Sequence, residues 1–311
     1  MHLLPHKTNE LLDFSIHRFE QALETRPLAI NPAPHRQALL ALDGSNQDPT
    51  VLGLAQAIIP ALGQDPKFEI VLASESGASP GQRASLDQAR TLLGSKLHGV
   101  HESDPSMPAY RQILEAAQKA DADWIIVPAP FLRDLDELGA DSVGTVLDML
   151  LARFAGTLLV VRVPQKTPGS LLHHWHWPLF PQQKSSAQSA DSIGALLQTL
   201  PVKQLVLHPV ADAALLRLAG QISEQSQGLK EALQMMHAAL VVGIQRFCQA
   251  AGRPKVHVQP LNGGLPEIMD HLNRFTGLVI TQLTQHPQPE AMDKVRQIIL
   301  HSANPILVTR R

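Results

Sequence analysis

From residue 38 onward the chain alternates short apolar runs with longer stretches in which apolar positions recur every three or four residues. Ala38-Leu39-Leu40-Ala41-Leu42, Phe68 to Ala73, Lys96 to His101, Trp124 to Val127 and Thr157 to Val163 read as strands. Residues 50–62, 80–93, 108–120 and 143–154, lying between them, read as helices. A strand that is apolar on both faces must be covered on both, and an intervening helix makes successive strands parallel. The pattern therefore predicts βαβ units with helices on either side of a sheet. The order then recurs. Leu171 to Leu179, Gln204 to His208, Lys255 to Leu261, Gly277 to Thr281 and Ile306 to Thr309 read as strands. Residues 187–199, 212–251, 264–275 and 289–301 read as helices, the long one with Leu229, Leu233, Met236, Leu240, Ile244 and Phe247 on one face. Ahead of all this, Leu12, Ile16, Phe19 and Leu23 behind Thr8 predict a helix over 8–26, ended by Pro27, Pro32 and Pro34.

The recurrence is visible in residues too. Thr157-Leu158-Leu159-Val160-Val161-Arg162 lies 148 positions before Pro305-Ile306-Leu307-Val308-Thr309-Arg310. A repeat of that length means two copies of a domain. The segment Pro164 to Ser170 is a linker by composition, so the expected organisation is a helical extension over 1–35 and domains over 36–166 and 167–311. Charge follows the same division: residues 1–166 carry −6 and residues 167–311 carry +4, within a net −2. A balance this close to neutral argues against a nucleic-acid binder. No apolar run approaches the roughly 18 residues of a membrane span. The N-terminal residues lack a basic, apolar leader. One cysteine, Cys248, excludes an intrachain disulfide. A cytoplasmic protein that binds neither nucleic acid nor membrane is expected.

Several motifs, in order, resemble the universal stress protein family. Leu40-Ala41-Leu42-Asp43-Gly44-Ser45 resembles that family's first strand and turn. Ile113-Leu114-Glu115-Ala116-Ala117 leading to Ala122-Asp123-Trp124-Ile125-Ile126-Val127 resembles its third helix and fourth strand, and Gly144-Thr145-Val146 followed by Leu158 to Arg162 its ending. In the second half, Leu205-Val206-Leu207-His208 and Pro305 to Arg310 look like its second and last strands. The resemblance covers about residues 36–311. It implies two tandem open parallel five-stranded α/β sheets of the adenine nucleotide alpha hydrolase-like kind. It also implies a non-catalytic stress-response or regulatory role. Final strands of this family often pair, so Thr157 to Arg162 and Ile306 to Arg310 are expected to meet antiparallel, giving an intramolecular pseudo-dimer of the two domains.

Many members of the family bind ATP at the carboxyl ends of the strands. On that resemblance Asp43, Gly44, Ser45, Gly144 and Thr145 are the candidate nucleotide-binding residues, for ATP or AMP in the first domain. The family's ATP binders carry Gly-x-x-Gly, nine residues, then Gly-Ser/Thr. Here the loop begins Val127-Pro128-Ala129-Pro130 and adds Asp134, Asp136 and Glu137, which removes N–H donors and places negative charge against phosphate. Binding is therefore expected to be weak. In the second domain Phe180 stands for the Asp, Gln282-Leu283-Thr284 for the glycines and Met292-Asp293 for Gly-Ser/Thr, so no nucleotide is expected there. The alternative is a nucleotide-free protein that meets an unidentified protein partner through its surfaces, with Asp43-Gly44-Ser45 serving only as a turn.

Three further features compete for a role. Gly77-Ala78-Ser79-Pro80-Gly81 has the spacing of a hydrolase nucleophile elbow, but Pro80 has no N–H for an oxyanion. It reads instead as an N-cap, Ser79, followed by Pro at the first helical position. His174 and His176, with His208 on a neighbouring strand, are weak candidate metal ligands, and packed, hydrogen-bonded imidazoles are the expected alternative. Cys248, beside Phe247 on the long helix, reads as a small buried hydrophobe.

Overall fold

The computed structural model describes residues 37–63, 65–132, 143–163, 165–180, 193–194, 196–211, 244, 248, 254–259, 261–284 and 287–310. The expected N-terminal helix, and the expected 212–251 helix apart from Ile244 and Cys248, lie outside these residues.

Five strands come from the first half: β1 (Gln37–Ala41), β2 (Lys67–Val71), β3 (Leu97–His101), β4 (Trp124–Pro128) and β5 (Thr157–Val161). The second half supplies β6 (His174–Leu179), β7 (Gln204–Ala211), β8 (Lys255–Val258), the two-residue β9 (Leu261–Asn262), β10 (Leu278–Leu283) and β11 (Ile306–Arg310). Hydrogen bonding orders them β3-β2-β1-β4-β5-β11-β10-β6-β7-β8, with β9 against β7. Each half has the same parallel order, read outward from the middle. The two five-stranded sheets share one ladder, because β5 and β11 pair antiparallel through Val160↔Ile306, Leu159↔Leu307 and Leu158↔Val308. Leu159 and Leu307, 148 residues apart, are direct partners, so a local twofold axis passes between them. Two edges that would otherwise expose unpaired backbone are joined.

Helices cover both faces. On one lie α1 (Asp48–Ala57) and α2 (Pro80–Leu93). The other carries α3 (Ala109–Lys119), α4 (Thr145–Arg153) and, past the one-turn α5 (Pro168–Leu171), also α6 (Leu265–Leu272) and α7 (Pro289–His301). Strand alternation divides the core. Ala38, Leu40, Trp124, Leu159, Trp175, Trp177, Ile280 and Leu307 pack on the α1 face, with Ile244 and Cys248. Leu39, Ile125, Val160, Val279, Val308, Ile113, Leu147 and Ile298 pack on the α4 face. Each core runs through both halves without a break, so the seam is as apolar as either interior.

Punctuation set the boundaries that matched. Ser79-Pro80 opens α2 with a complete capping box, in which Ser79 Oγ accepts from Gln82 N and Gln82 Oε1 accepts from Ser79 N. Two expectations need correction. The segment 50–62 is α1 followed by a 3-10 turn over Ile59–Leu62, because Pro60 supplies no N–H to continue an α-helix. The strand expected from Leu171 begins at His174, because Pro168 starts the single turn of α5. Among the described residues no helix is long and apolar enough to cross a membrane.

Candidate functional site

The turn after β1 is built from side chains that satisfy backbone. Asp43 is buried, and both of its carboxylate oxygens are engaged. Oδ1 accepts from Ser45 N at 2.9 Å, and Oδ2 accepts from Leu132 N at 3.0 Å. The first bond closes an Asx turn. The second reaches 89 residues along the chain to tie the segment after β4, where Leu132 holds φ 58, to the end of β1. Asp43 thus joins the carboxyl ends of two neighbouring strands, whatever else it binds.

Gly44 has φ 81, and its Cα faces the start of α2 so closely that a Cβ would lie 2.7 Å from Gln82 N and 2.9 Å from Gly81 C. A Cβ on Gly81 would lie 2.8 Å from Gly44 O. The two glycines exist as a backbone-to-backbone contact, which accounts for the Gly at the end of the elbow-like motif. Gln82, fully buried, completes the lock. Its Nε2 donates to Leu42 O at 2.9 Å and to Ala73 O at 3.2 Å, which occupies carbonyls at the carboxyl ends of β1 and β2.

Asp48, at the start of α1, lies under the same turn with no solvent exposure. It accepts from Gly44 N at 2.9 Å and from Asp43 N at 3.4 Å. Burial, with the Asp43 charge adding to it, pushes its pKa up to about 7. Gly144, at φ 87, precedes α4 without a side-chain cap, and Thr145 is exposed at the first helical position. The structure therefore places Asp43, Gly44, Ser45, Gly144 and Thr145 at one end of the first half's sheet. Of the intervening loop, residues 133–142 lie outside the described residues.

The corresponding place in the second half is filled. Phe180 is buried in the α4-face core, and Lys294 sits 4.6 Å over its ring. Met292 is buried, and Asp293 pairs with Arg296 at 2.6 Å. Phe180 takes the place that Asp43 holds in the first half.

The three histidines are not gathered into one site. His174 is exposed and meets Gln204 Oε1 at 3.3 Å. His176 and His208 are buried, with His176 Nδ1 3.1 Å from His208 Nε2 and His208 Nδ1 3.1 Å from Gln259 O. A carbonyl only accepts, so His208 Nδ1 carries the proton, its Nε2 accepts, and His176 Nδ1 donates to it. Burial draws both pKa values down to about 4. Phe275 stacks on His176 and His271 lies edge-on to His208. Among the described residues no group of three or more His, Cys, Asp or Glu is placed to hold a metal ion. Cys248 is buried, and burial raises its thiol to about 11.

At the seam, Asp148 of α4 and Arg296 of α7, again 148 residues apart, form an ion pair of 2.6 Å across the local axis. Arg310 crosses the same seam to the end of α4. Its Nε donates to Phe154 O at 3.1 Å, its Nη2 to Leu151 O, and its Nη1 donates to Thr284 O of the second half at 3.1 Å. These pairs, like Asp48 and Gln82, were not singled out from the sequence. Only Gln82 carried a readable signal, as the last residue of Ser-x-x-Gln before an apolar run.

No family model matches the chain, and no curated protein sequence does. Solved structures do. A universal stress protein from Archaeoglobus fulgidus DSM 4304 is similar with a TM-score of 0.52 at 13% identity, over 89% of this chain and 97% of that one. A putative universal stress protein from Pseudomonas aeruginosa UCBPP-PA14 gives 0.59 at 11%, over 88% and 93%. The cytoplasmic domain of a prokaryotic cation chloride cotransporter gives 0.51 at 11%, over 88% and 94%. At these identities the likeness is one of architecture, and the chain has the fold of the universal stress proteins over most of its length.

Proposed function

We propose that the chain is a non-catalytic regulatory protein of the stress-response kind, cytoplasmic, whose first half binds an adenine nucleotide, ATP or AMP, weakly. The observation that carries this reading is the contrast between the halves. The first half keeps a polar turn at Asp43-Gly44-Ser45 and a Gly144-Thr145 helix start, at the end where open α/β sheets take ligands. The second half has a buried phenyl ring in that place. Weakness follows from the donors that Pro128 and Pro130 lack and from Asp43 and Gln82 already serving backbone groups.

Titration calorimetry with ATP, AMP and adenosine tests the reading. Dissociation constants weaker than about 1 μM (about −8.2 kcal/mol) are expected, with loss of binding in Asp43→Ala. A constant below that value, or affinity unchanged in Asp43→Ala, refutes it. A second reading, a nucleotide-free protein that acts on a protein partner through its surfaces, is favoured by the complete engagement of the Asp43 carboxylate. No response to millimolar nucleotide would select it.

A further inference from the structure

Several histidines of the second half share one sheet face. Strand residues two apart point the same way, and the register sets His174 beside Gln204, His176 beside Val206, Val206 beside His257 and Pro178 beside His208. His174, His176, His208 and His257 therefore lie on the face opposite Trp175 and Trp177, the face that α6 covers. α6 adds His271, and Phe275 follows it. The pairing also identifies the counterparts in the first half. Ile306 pairs with Val279, and Val279 with His176; Leu158, 148 residues before Ile306, pairs with Ile125, and Ile125 with Leu39. Further along the same strands, Pro178↔His208 matches Ala41↔Val71. The fold thus buries Leu39 and Val71 in one copy, and His176 and His208 at the same two places in the other. An apolar pair suffices to fill these places, so packing alone does not call for imidazoles.

The hydrogen bonds among them run one way. His176 Nδ1 donates to His208 Nε2, His208 Nδ1 donates to Gln259 O, and the Gln259 side-chain amide donates to His271 Nε2 at 3.3 Å. Each link needs a neutral ring. A proton added to His208 enters at Nε2 and meets the N–H of His176, unless that proton shifts to His176 Nε2. A second added proton sets two cations 3.1 Å apart. A proton on His271 Nε2 opposes the Gln259 amide in the same way. Among the described residues the titratable groups that act on the buried pair are His174 of β6 and His271 of α6, besides each other, and all of them gain positive charge in acid. Further out on the same face, β8 carries His257 and Lys255, both exposed. The carboxylates of α6, Glu267 and Asp270, are exposed, as is Arg274 after it. A buried cation without a counter-ion is costly, so charging this face works against its cover.

We propose that this histidine face is a proton-operated latch on α6. With the rings neutral, it holds α6 and Phe275 on the second half's sheet. When the buried pair takes up protons, α6 is released and bares Ile268, Met269 and Leu272, while the first half, with Leu39 and Val71 in the same places, stays closed. An opened ring titrates near the ordinary 6.5 and a closed one near 4, so opening takes up protons and is favoured as pH falls from 6.5 towards 4. Nucleotide binding plays no part in the latch.

The test is amide hydrogen exchange on the full chain at about pH 7 and about pH 5, corrected for the intrinsic pH dependence of exchange. The reference is α3, which precedes β4 as α6 precedes β10. Wild type is compared with the double variant His176→Leu/His208→Val, which installs the first half's own residues. In wild type the protection of α6 is expected to fall roughly tenfold or more over these two pH units, with α3 unchanged. In the double variant α6 is expected to stay as protected in acid as at neutral pH. Imidazole Cε1–H resonances of wild type, followed by NMR, are expected to include two whose titration coincides with the opening of α6. That measurement, with the α6-to-α3 comparison in wild type, decides the matter even where the double variant does not fold. The latch is overturned if α6 keeps its protection in acid, or if α3 loses protection equally. It is also overturned if the double variant opens as wild type does, or if His176 and His208 titrate while α6 stays protected.

Discussion

Three glycine-to-alanine substitutions separate backbone strain from close approach in the turn that organises the first half. Gly77 has φ 86, and a Cβ there would meet nothing within 4 Å. Gly77→Ala therefore introduces strain alone, about 1–2 kcal/mol for an L-residue held left-handed. Gly81 lies in the first turn of α2 without a positive φ, where alanine in open space would stabilise by up to about 1 kcal/mol. Its Cβ would instead meet Gly44 O at 2.8 Å, a backbone atom held by its own turn, so crowding outweighs propensity. Overpacking costs about 1–3 kcal/mol, which leaves Gly81→Ala destabilising by roughly 1–2 kcal/mol. Gly44→Ala incurs both penalties, φ 81 and contacts of 2.7 and 2.9 Å, for a loss of about 3 kcal/mol or more. The assay is equilibrium urea unfolding, with midpoint and slope compared so that stability changes are not confused with changes in the unfolded state. The expected ranking puts Gly44→Ala lowest, with Gly81→Ala and Gly77→Ala above it. A neutral or stabilised Gly81→Ala would show that the turn and α2 move apart freely. Gly77→Ala as costly as Gly44→Ala would show that the contact contributes nothing.

Other expectations follow from charge. Reversing Asp148→Arg or Arg296→Asp sets like charges across the seam; both groups are about one-third exposed, so each should cost about 1 kcal/mol and roughly 2 °C in melting temperature, and the double reversal should restore most of it. A double variant no better than the sum of the singles would refute that. Asp48 titrates higher folded than unfolded, so the folded state binds more protons between pH 4 and 7 and stability falls as pH rises through that window; Asp48→Asn should remove this slope in pH-dependent unfolding. His176 and His208 work in the opposite sense. With folded values near 4 against 6.5, their contribution is present above pH 6.5 and lost as pH falls towards 4, and His208→Gln should flatten that arm. An acid arm unchanged in His208→Gln would contradict the assigned burial effect.

What the sequence showed and what it hid divide along physical lines. Strands β4, β5 and β11 and helices α2 and α7 were legible because local signals agree: apolar runs, Ser-Pro or Gln-Pro openings, and Gly or Ser endings. The start of β6 was not, since Pro168-Gly169-Ser170-Leu171 fits a turn or an extended linker equally well. At the site, Asp43 and Gly44 were visible as types, but their partners were not. Leu132, Gln82 and Gly81 meet them only after the strands have come together. Asp148 with Arg296 is likewise a consequence of register, which a linear pattern does not contain.

A twofold axis between identical subunits makes every residue on it face its own copy. An aspartate there would confront an aspartate, an arginine an arginine. Here the position is occupied by Asp148 on one side and Arg296 on the other, so the contact reads as an address rather than a mirror. A second copy of the first half, placed where the second half belongs, would bring two carboxylates together, and a second copy of the second half two guanidinium groups. Covalent linkage makes this possible, because each half needs to fit only the other and not itself. It also frees the halves to diverge, one retaining a polar turn at its carboxyl end while the other fills the same place with a phenyl ring.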